Sequence, residues 1–383
     1  MKFIAKTLFG LEGVLAEELT GLGATDVRQV NRAVLFEGDT EMLYRVNYCS
    51  RTALSVLMSI SNFRIRSKDD LYRYGLKVEW GRYMDNSDTF SVTPVVNSSH
   101  FTHTGYPALI LKDAVADYFR NKTGKRPSVD IANPSMAINL HISKDLVTIS
   151  LDSSVVPLFK RGYRQTAATA PLNEALAAGI LLLSKWDASA HLTDPMCGSG
   201  TIPIEAAMIA CRIPPGKFRP SFGFQKWKNF DRELFQSVKE YYDNMITGSP
   251  VEIFANDISP EAAEQTRANL LNAGLTDMVK VTVSDFSEMN SAGSGGFVFL
   301  NPPYGKRIKP LEINGLYSMI GTTLKHRFPG NVAWLISSNL ESIKFVGLKP
   351  AVKHILFNGP LKCYLLKYEL FEGSRKSHLN DVT

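Results

Sequence analysis

The spacing of apolar positions divides the chain near residue 160 into two stretches with different rhythms. In the first, Phe3 to Phe9 reads as a strand, and Leu11, Val14, Leu15, Leu19 and Leu22 then recur on one helical face until Gly23 stops the pattern. A hairpin follows around Val27 to Gly38. From 46 to 155 strand and helix signals continue, with Leu111, Val115, Tyr118 and Phe119 sharing a helical face and two alternating runs, 135–143 and 145–152, reading as paired strands. This is a small α+β assembly with no acid/base or nucleophile motif in it.

The second stretch is more regular. A helical pattern through Leu172, Leu176, Gly179 and Leu183 opens near Thr169 or Ala170 with Pro171 at its first position. Apolar strand runs ending at Asp194, Asp257, Asp285 and Asn301 then alternate with helical patterns, which predicts a mostly parallel, doubly wound α/β sheet of Rossmann-like type. Two final runs, 353–359 and 361–371, read as an antiparallel edge hairpin. The tail beyond Glu372 is polar and reads as loose. One insertion, Arg212 to Pro250, is dense in Phe, Trp, Lys and Arg; its aromatics suit either stacking on unpaired bases or packing over the sheet.

Composition narrows the class. The 383 residues, 44% of them hydrophobic, suffice for two or three cored domains, and no apolar run approaches the ~20 residues of a membrane span. Four scattered cysteines without a CxxC pair indicate neither a disulfide framework nor a zinc site, as suits a reducing cytosol. A net charge of +6 is too mild to establish nucleic-acid binding, and neither half is a polycation. Local clusters carry that case: Arg64 and Arg66 beside Phe63, Lys122, Lys125 and Arg126 at a helix end, and Lys160, Arg161 and Arg164 after the boundary are all suited to phosphates. A solvated helix terminus accounts equally well for the second cluster.

The candidate chemistry sits at the strand ends. Asp194 is followed by a turn with Gly198 and Gly200 and then by a helix, the arrangement that seats a nucleotide-type cofactor. Asp194 suits an ammonium group, Asp257 a ribose hydroxyl pair and Asp285 an adenine amine. Each alone reads equally as a strand-end cap; three on consecutive strands describe a nucleoside site that also carries a cation. The turn lacks the GxGxxG spacing of a dinucleotide site, which argues against a dehydrogenase. After the next strand come Asn301, Pro302, Pro303 and Tyr304. The lone pair of an exocyclic base amine is delocalised into its ring, so such an amine needs its N–H groups held by acceptors. Asn301 Oδ1 and the Pro302 carbonyl fit that role, Pro303 stiffens the turn, and Tyr304 offers a stacking face for a base taken out of its helix. Glu205, one turn into the helix, suits either the cofactor loop or the helix terminus, and Cys197 has no base partner to make it a nucleophile.

These stretches resemble class I S-adenosylmethionine-dependent methyltransferases of the THUMP-domain RNA guanine-N2 family, most closely the N-terminal half of its bifunctional 23S rRNA members. The carrying residues run from Asp194 to Ala210, Asn256 to Ser259, Ser284 to Phe286 and Asn301 to Gly305, with further matches upstream covering nearly the whole chain. The resemblance implies a ferredoxin-like part (1–45), a THUMP domain (46–155), a linker (156–175), a Rossmann-like methyltransferase domain (176–373) and a flexible tail (374–383). It implies S-adenosylmethionine as cofactor, held by Asp194, Pro195, Cys197, Gly198, Ser199, Gly200, Asp257, Ile258, Asp285 and Phe286, with Asn301, Pro302, Pro303 and Tyr304 catalytic. RNA is the implied partner, with no membrane and no metal, in the cytoplasm. The implied reaction is methylation of guanine N2 in 23S rRNA by a stand-alone enzyme, since no second methyltransferase pattern follows. A tRNA guanine-N2 methyltransferase is the nearest alternative; a non-catalytic RNA-binding or ribosome-assembly protein is another, against which the intact Asn301 to Tyr304 stretch stands.

Overall fold

A computed structural model describes residues 1–101, 103–164, 172–303 and 310–371. The chain forms two compact units, and neither is continuous in sequence. The first takes Met1–Thr7, Leu15–Leu158 and Arg219–Tyr241; the second takes Leu8–Val14, Phe159–Phe218 and everything from Tyr242.

The first unit is built on β1 (Lys2–Lys6), α1 (Glu12–Gly21), β2 (Thr25–Val30), β3 (Ala33–Glu37), α2 (Thr40–Cys49), β4 (Ser55–Arg64), α3 (Lys68–Leu76), β5 (Thr89–Asn97), α4 (Tyr106–Thr123), β6 (Ser128–Val129), β7 (Met136–Ser143) and β8 (Leu146–Asp152). Its strands form one sheet in the order β2-β3-β1-β4-β8-β7-β5-β6. The expected hairpin is β2 with β3, the two alternating runs are β7 with β8, and Leu111, Val115, Tyr118 and Phe119 are all buried on α4. β4 joins the halves of this sheet: Leu57 faces Ile4 of β1 on one side and Asp152 of β8 on the other.

Part of the aromatic insertion completes this unit. Phe224 lies 4.6 Å from the Tyr44 ring, 5.4 Å from Phe222 and 5.0 Å from Phe235, measured between centroids. Arg219 donates to the Val156 and Pro157 carbonyls at 2.8 Å. Phe222, Phe224, Trp227 and Phe235 are buried, so packing prevails over base stacking for these rings: apolar faces of that size are more stable inside a core than in water.

The second unit contains α5 (Glu174–Leu183), β9 (Leu192–Asp194), α6 (Thr201–Ala210), the end of α7 (Arg232–Asp243), β10 (Ile253–Asp257), α8 (Pro260–Asn272), β11 (Val279–Val283), β12 (Phe297–Leu300), α9 (Pro310–Arg327), β13 (Val332–Ser337), α10 (Leu340–Ile343), β14 (Val352–Asn358) and β15 (Leu361–Glu369). The strand order is β11-β10-β9-β12-β13-β15-β14, parallel except for β15, which runs antiparallel to both neighbours. The doubly wound sheet and its edge hairpin are as expected. Alternate strand residues feed two cores on opposite faces. Phe299, Trp334 and Ile336 join Leu176, Ile204 and Leu270 of α5, α6 and α8, whereas Val298, Leu300, Ala333 and Leu335 join Tyr317, Ile320 and Leu324 of α9. Leu11 and Val14 extend the first of these cores. Helix α5 begins later than expected: Asn173 caps it by accepting from Leu176 N, whereas Thr169, Ala170 and Pro171 lie outside the described residues.

Candidate active site

Strand order reverses between β9 and β12, so the carboxyl ends of these central strands flank a crevice. The turn from Asp194 into α6 is held from several directions. Gly198 and Gly200 have φ of 55° and 79°, and a Cβ on Gly200 would lie 2.7 Å from Thr266 Cγ2, so both its conformation and its contact require glycine. Gly198 N donates to Asp257 Oδ2 at 2.8 Å, Thr266 Oγ1 to the Gly198 carbonyl at 2.9 Å, and Asn269 Nδ2 to the Ser199 carbonyl at 3.0 Å. The turn is therefore shaped by α8 and β10 before any ligand arrives.

A cavity of about 520 Å³ opens on this turn. Asp194, Pro195, Cys197, Gly198, Ser199, Asp257, Ile258, Asp285, Phe286, Asn301 and Pro303 all line it. Gly200 does not, because it faces Thr266. The three acids differ in electrostatics. Burial, opposed by the Met196 N–H and reinforced by the charge of Asp257, pushes the Asp194 carboxyl up to about 8. Asp257 is half-buried and accepts from Gly198 N and, at 3.0 Å, from Ser259 N, which leaves each oxygen a lone pair for a hydroxyl. Asp285 caps the 3₁₀ turn Phe286–Glu288 by accepting from Ser287 N, and the Ser287 hydrogen bonds hold its carboxyl below the usual range. Burial pushes the Cys197 thiol far up, which keeps it neutral and unreactive.

At the end of β12, Asn301 Oδ1 is buried and accepts no hydrogen bond from the described residues. A buried acceptor without a donor costs roughly 1–3 kcal/mol, so at this cavity wall Asn301 Oδ1 is an acceptor whose donor lies beyond the described residues. Pro302 is buried behind the wall, and Tyr304 lies outside the described residues.

Several structural supports were not singled out from sequence. Asn256 is completely buried: its Nδ2 donates to the Pro195 and Ser284 carbonyls at 3.2 and 2.9 Å, and its Oδ1 accepts from Thr282 and Ser284 hydroxyls at 2.9 Å. One amide in β10 thereby links the loops after β9 and β11. Its signal was an amide in an otherwise apolar strand, a group that must find partners when buried. Leu172, Leu316 and Met319 add apolar wall.

The basic residues divide. Arg161 is 1% exposed and meets Glu205 through two contacts, Nε–Oε1 at 3.0 Å and Nη2–Oε2 at 3.2 Å. Arg164 donates to Glu174 at 3.1 Å, Ser199 Oγ at 2.9 Å and Thr201 Oγ1 at 2.8 Å. Both correct the expectation of phosphate contacts: their donors are committed inside the second unit. Glu205 likewise faces Arg161 and not the cavity. Arg64 is exposed but paired with Asp145 at 2.6 Å, and Lys122 with Glu79 at 3.2 Å and the Tyr118 hydroxyl at 2.8 Å. Arg66, Lys125, Arg126 and Lys160 are exposed.

Comparison with known proteins agrees with this architecture. The family description "RMKL-like, methyltransferase domain" matches residues 161–367, "RlmL ferredoxin-like domain" residues 2–57 and "THUMP domain" residues 66–152. A Synechocystis protein provisionally named an RNA methyltransferase is 35% identical over 96% of this chain and 97% of its own. The ribosomal RNA large subunit methyltransferase K/L of Syntrophotalea carbinolica is 37% identical over 97% of this chain but only 54% of its own, so the chain spans about half of that relative. A crystal structure of a provisionally described methyltransferase complexed with SAH superposes with a TM-score of 0.88 at 28% identity, covering 97% of this chain and 99% of that one.

Proposed function

Because the chain belongs to the RMKL-like methyltransferase family, with ferredoxin-like and THUMP domains ahead of the Rossmann-like fold, we propose that it transfers a methyl group from S-adenosylmethionine to N2 of a guanine in 23S rRNA. The observation that carries this reading is the unsatisfied Asn301 Oδ1 in the same cavity as Asp194, Asp257 and Asp285. Relatives named for the large ribosomal subunit support the RNA assignment, and the SAH-bound neighbour supports the cofactor.

The residues fit that cofactor. Asp194 is a buried carboxyl with no cation beside it among the described residues, suited to the ammonium of the amino-acid end. Asp257 has acceptor capacity for the ribose hydroxyls, and Asp285 with Phe286 suits the adenine. Gly198 and Ser199 bring backbone close to the ligand. When bound, S-adenosylmethionine supplies an electrophilic methyl on a sulfonium. Asn301 Oδ1 and the Pro302 carbonyl accept the amine N–H groups and orient the nitrogen, Pro303 keeps that turn stiff, and Tyr304 holds the base face. The front unit holds the RNA, and the protein works in the cytoplasm; none of the described helices is long and apolar enough to cross a membrane.

The test is mass spectrometry of rRNA and tRNA nucleosides from cells with and without the gene. Loss of N2-methylguanosine from 23S rRNA is expected; loss from tRNA instead would transfer the assignment to that substrate, and no change would leave a non-catalytic RNA-binding protein.

Asp194 also sets a pH dependence. With its carboxyl pushed up to about 8, the ligand-free site holds mainly the neutral acid at pH 7, whereas an ammonium needs the carboxylate. Binding must then release a proton, so affinity rises with pH by roughly tenfold between pH 6 and pH 7. Calorimetry in buffers of different ionisation enthalpy measures that proton. In Asp194→Asn the dependence should vanish; if affinity is flat across this range in the unsubstituted protein, the ammonium lies elsewhere.

A further inference from the structure

The front unit contains a second cavity, of about 570 Å³, on one face of the eight-stranded sheet. Its floor is apolar: Ile4 of β1 stands opposite Leu35 of β3 and Leu57 of β4, so three adjacent strands present one continuous aliphatic patch. Phe3 and Ala5, which alternate with these residues, point into the core on the other side. Along the same strand Lys2 and Lys6 flank Ile4, and across the sheet His141 projects from β7 opposite Thr148 and Val95. Arg28 and Arg32 close the β2–β3 end.

The β2–β3 end of the cavity also carries Glu37 and Asp26, the latter paired with Arg28 at 2.9 Å, so the cations left facing the floor are Lys2 and Lys6. Arg64 and Lys122 already have carboxylate partners. The Lys2 and Lys6 side chains make no hydrogen bond or ion pair with the described residues, although the charge of Asp152 acts on Lys6. Lys6 is half-buried, and burial pushes its ammonium down despite the opposing charge of Asp152; burial and Lys6 together push the His141 imidazole down. A partly desolvated Lys6 and an exposed Lys2 beside an aliphatic floor are complementary to an anion that carries its own flat apolar body.

We propose that this sheet face, with Lys2, Lys6 and His141 beside the Ile4–Leu35–Leu57 floor, binds an unpaired, phosphate-bearing segment of the RNA substrate. The ammonium groups meet phosphates, the aliphatic floor meets a base face, and Asn31, Asn62 and Asn139 offer hydrogen bonds to base edges. A regular duplex hides its base faces and exposes only phosphates, so it would leave the floor uncovered. The inference rests on the RNA-substrate reading above and adds where, and in what form, the RNA is held.

The experiment is anisotropy titration of the full chain with a single-stranded oligoribonucleotide and its duplex, over a series of salt concentrations, for the unsubstituted protein, Lys2→Glu, and Lys2→Gln combined with Lys6→Gln. The double variant is expected to lose roughly tenfold in affinity for the single strand and about 1.4 in the logarithmic salt slope, since each cation contributes about 0.7. Lys2→Glu, on the exposed rim, guards against misfolding and should weaken the single strand alone. S-adenosylmethionine affinity should be unchanged in both. If the unsubstituted protein methylates RNA while both variants bind it as before, this inference falls and the function stands. If no form binds or methylates RNA, the functional reading falls and takes the inference with it. A shift in oligomeric state without a change in RNA affinity would assign the face to a second copy of the chain and overturn the proposal.

Discussion

Asn301→Ala is expected to slow methyl transfer ~100-fold or more while leaving most S-adenosylmethionine affinity intact, the size of effect that follows loss of a group aligning the reacting atom. In the proposed function the three acids at other strand ends of the same cavity hold the cofactor, whereas Asn301 Oδ1 is a buried acceptor with no donor among the described residues. An aromatic amine does not attack well while its lone pair is delocalised, and holding its hydrogens out of the ring plane localises that pair. Removing the acceptor therefore affects the transferring nitrogen and not the ground-state cofactor complex. Single-turnover methylation of the target RNA, alongside cofactor titration, separates the two effects. Near-normal turnover by the variant would withdraw the amine-acceptor role; a parallel collapse of cofactor affinity would place Asn301 in cofactor binding instead.

Glu205→Ala should cost about 3–5 kcal/mol of stability, a large part of what a domain of this kind possesses. Arg161 and Glu205 are 1% and 0% exposed, and the carboxylate meets the guanidinium through both oxygens. Truncating the acid leaves a buried cation without its counter-charge, which is far worse than exchanging the pair for apolar residues of similar size. Arg161→Leu combined with Glu205→Leu should thus recover most of the loss. Denaturant unfolding of Glu205→Ala and of the double variant, beside the unsubstituted protein, measures this. A Glu205→Ala protein as stable as the original would show that water or another partner compensates the guanidinium.

Much of the second unit was legible because its signals are local. Strands buried on both faces read as apolar runs, the helices between them carry their own periodicity, and acids at successive strand ends follow from the topology of a doubly wound sheet. The cavity accordingly brings together Asp194, Asp257, Asp285 and Asn301 from four separate strand ends. Glu205 also left a trace, as a lone charge in an apolar helix, which must have a partner when buried. Nothing in the sequence named Arg161 as that partner, because a basic residue beside Gly162 and Arg164 looks the same whether it faces water or a carboxylate 44 positions away.

What the sequence determined by itself was the order of elements, the class of each sheet and the chemistry of the strand ends. The tertiary structure alone decided how segments are shared: Leu11 and Val14 join the second unit, and Phe222, Phe224 and Phe235 of the insertion join the first. A boundary near 160 would therefore separate a fragment from part of its own core. It also decided which cations are spent in ion pairs and which, like Lys2 and Lys6, have no ion-pair partner among the described residues. Periodicity records which side of an element is apolar, but burial and pairing depend on what other elements bring against that side, and those contacts join positions too distant along the chain for any local pattern to encode.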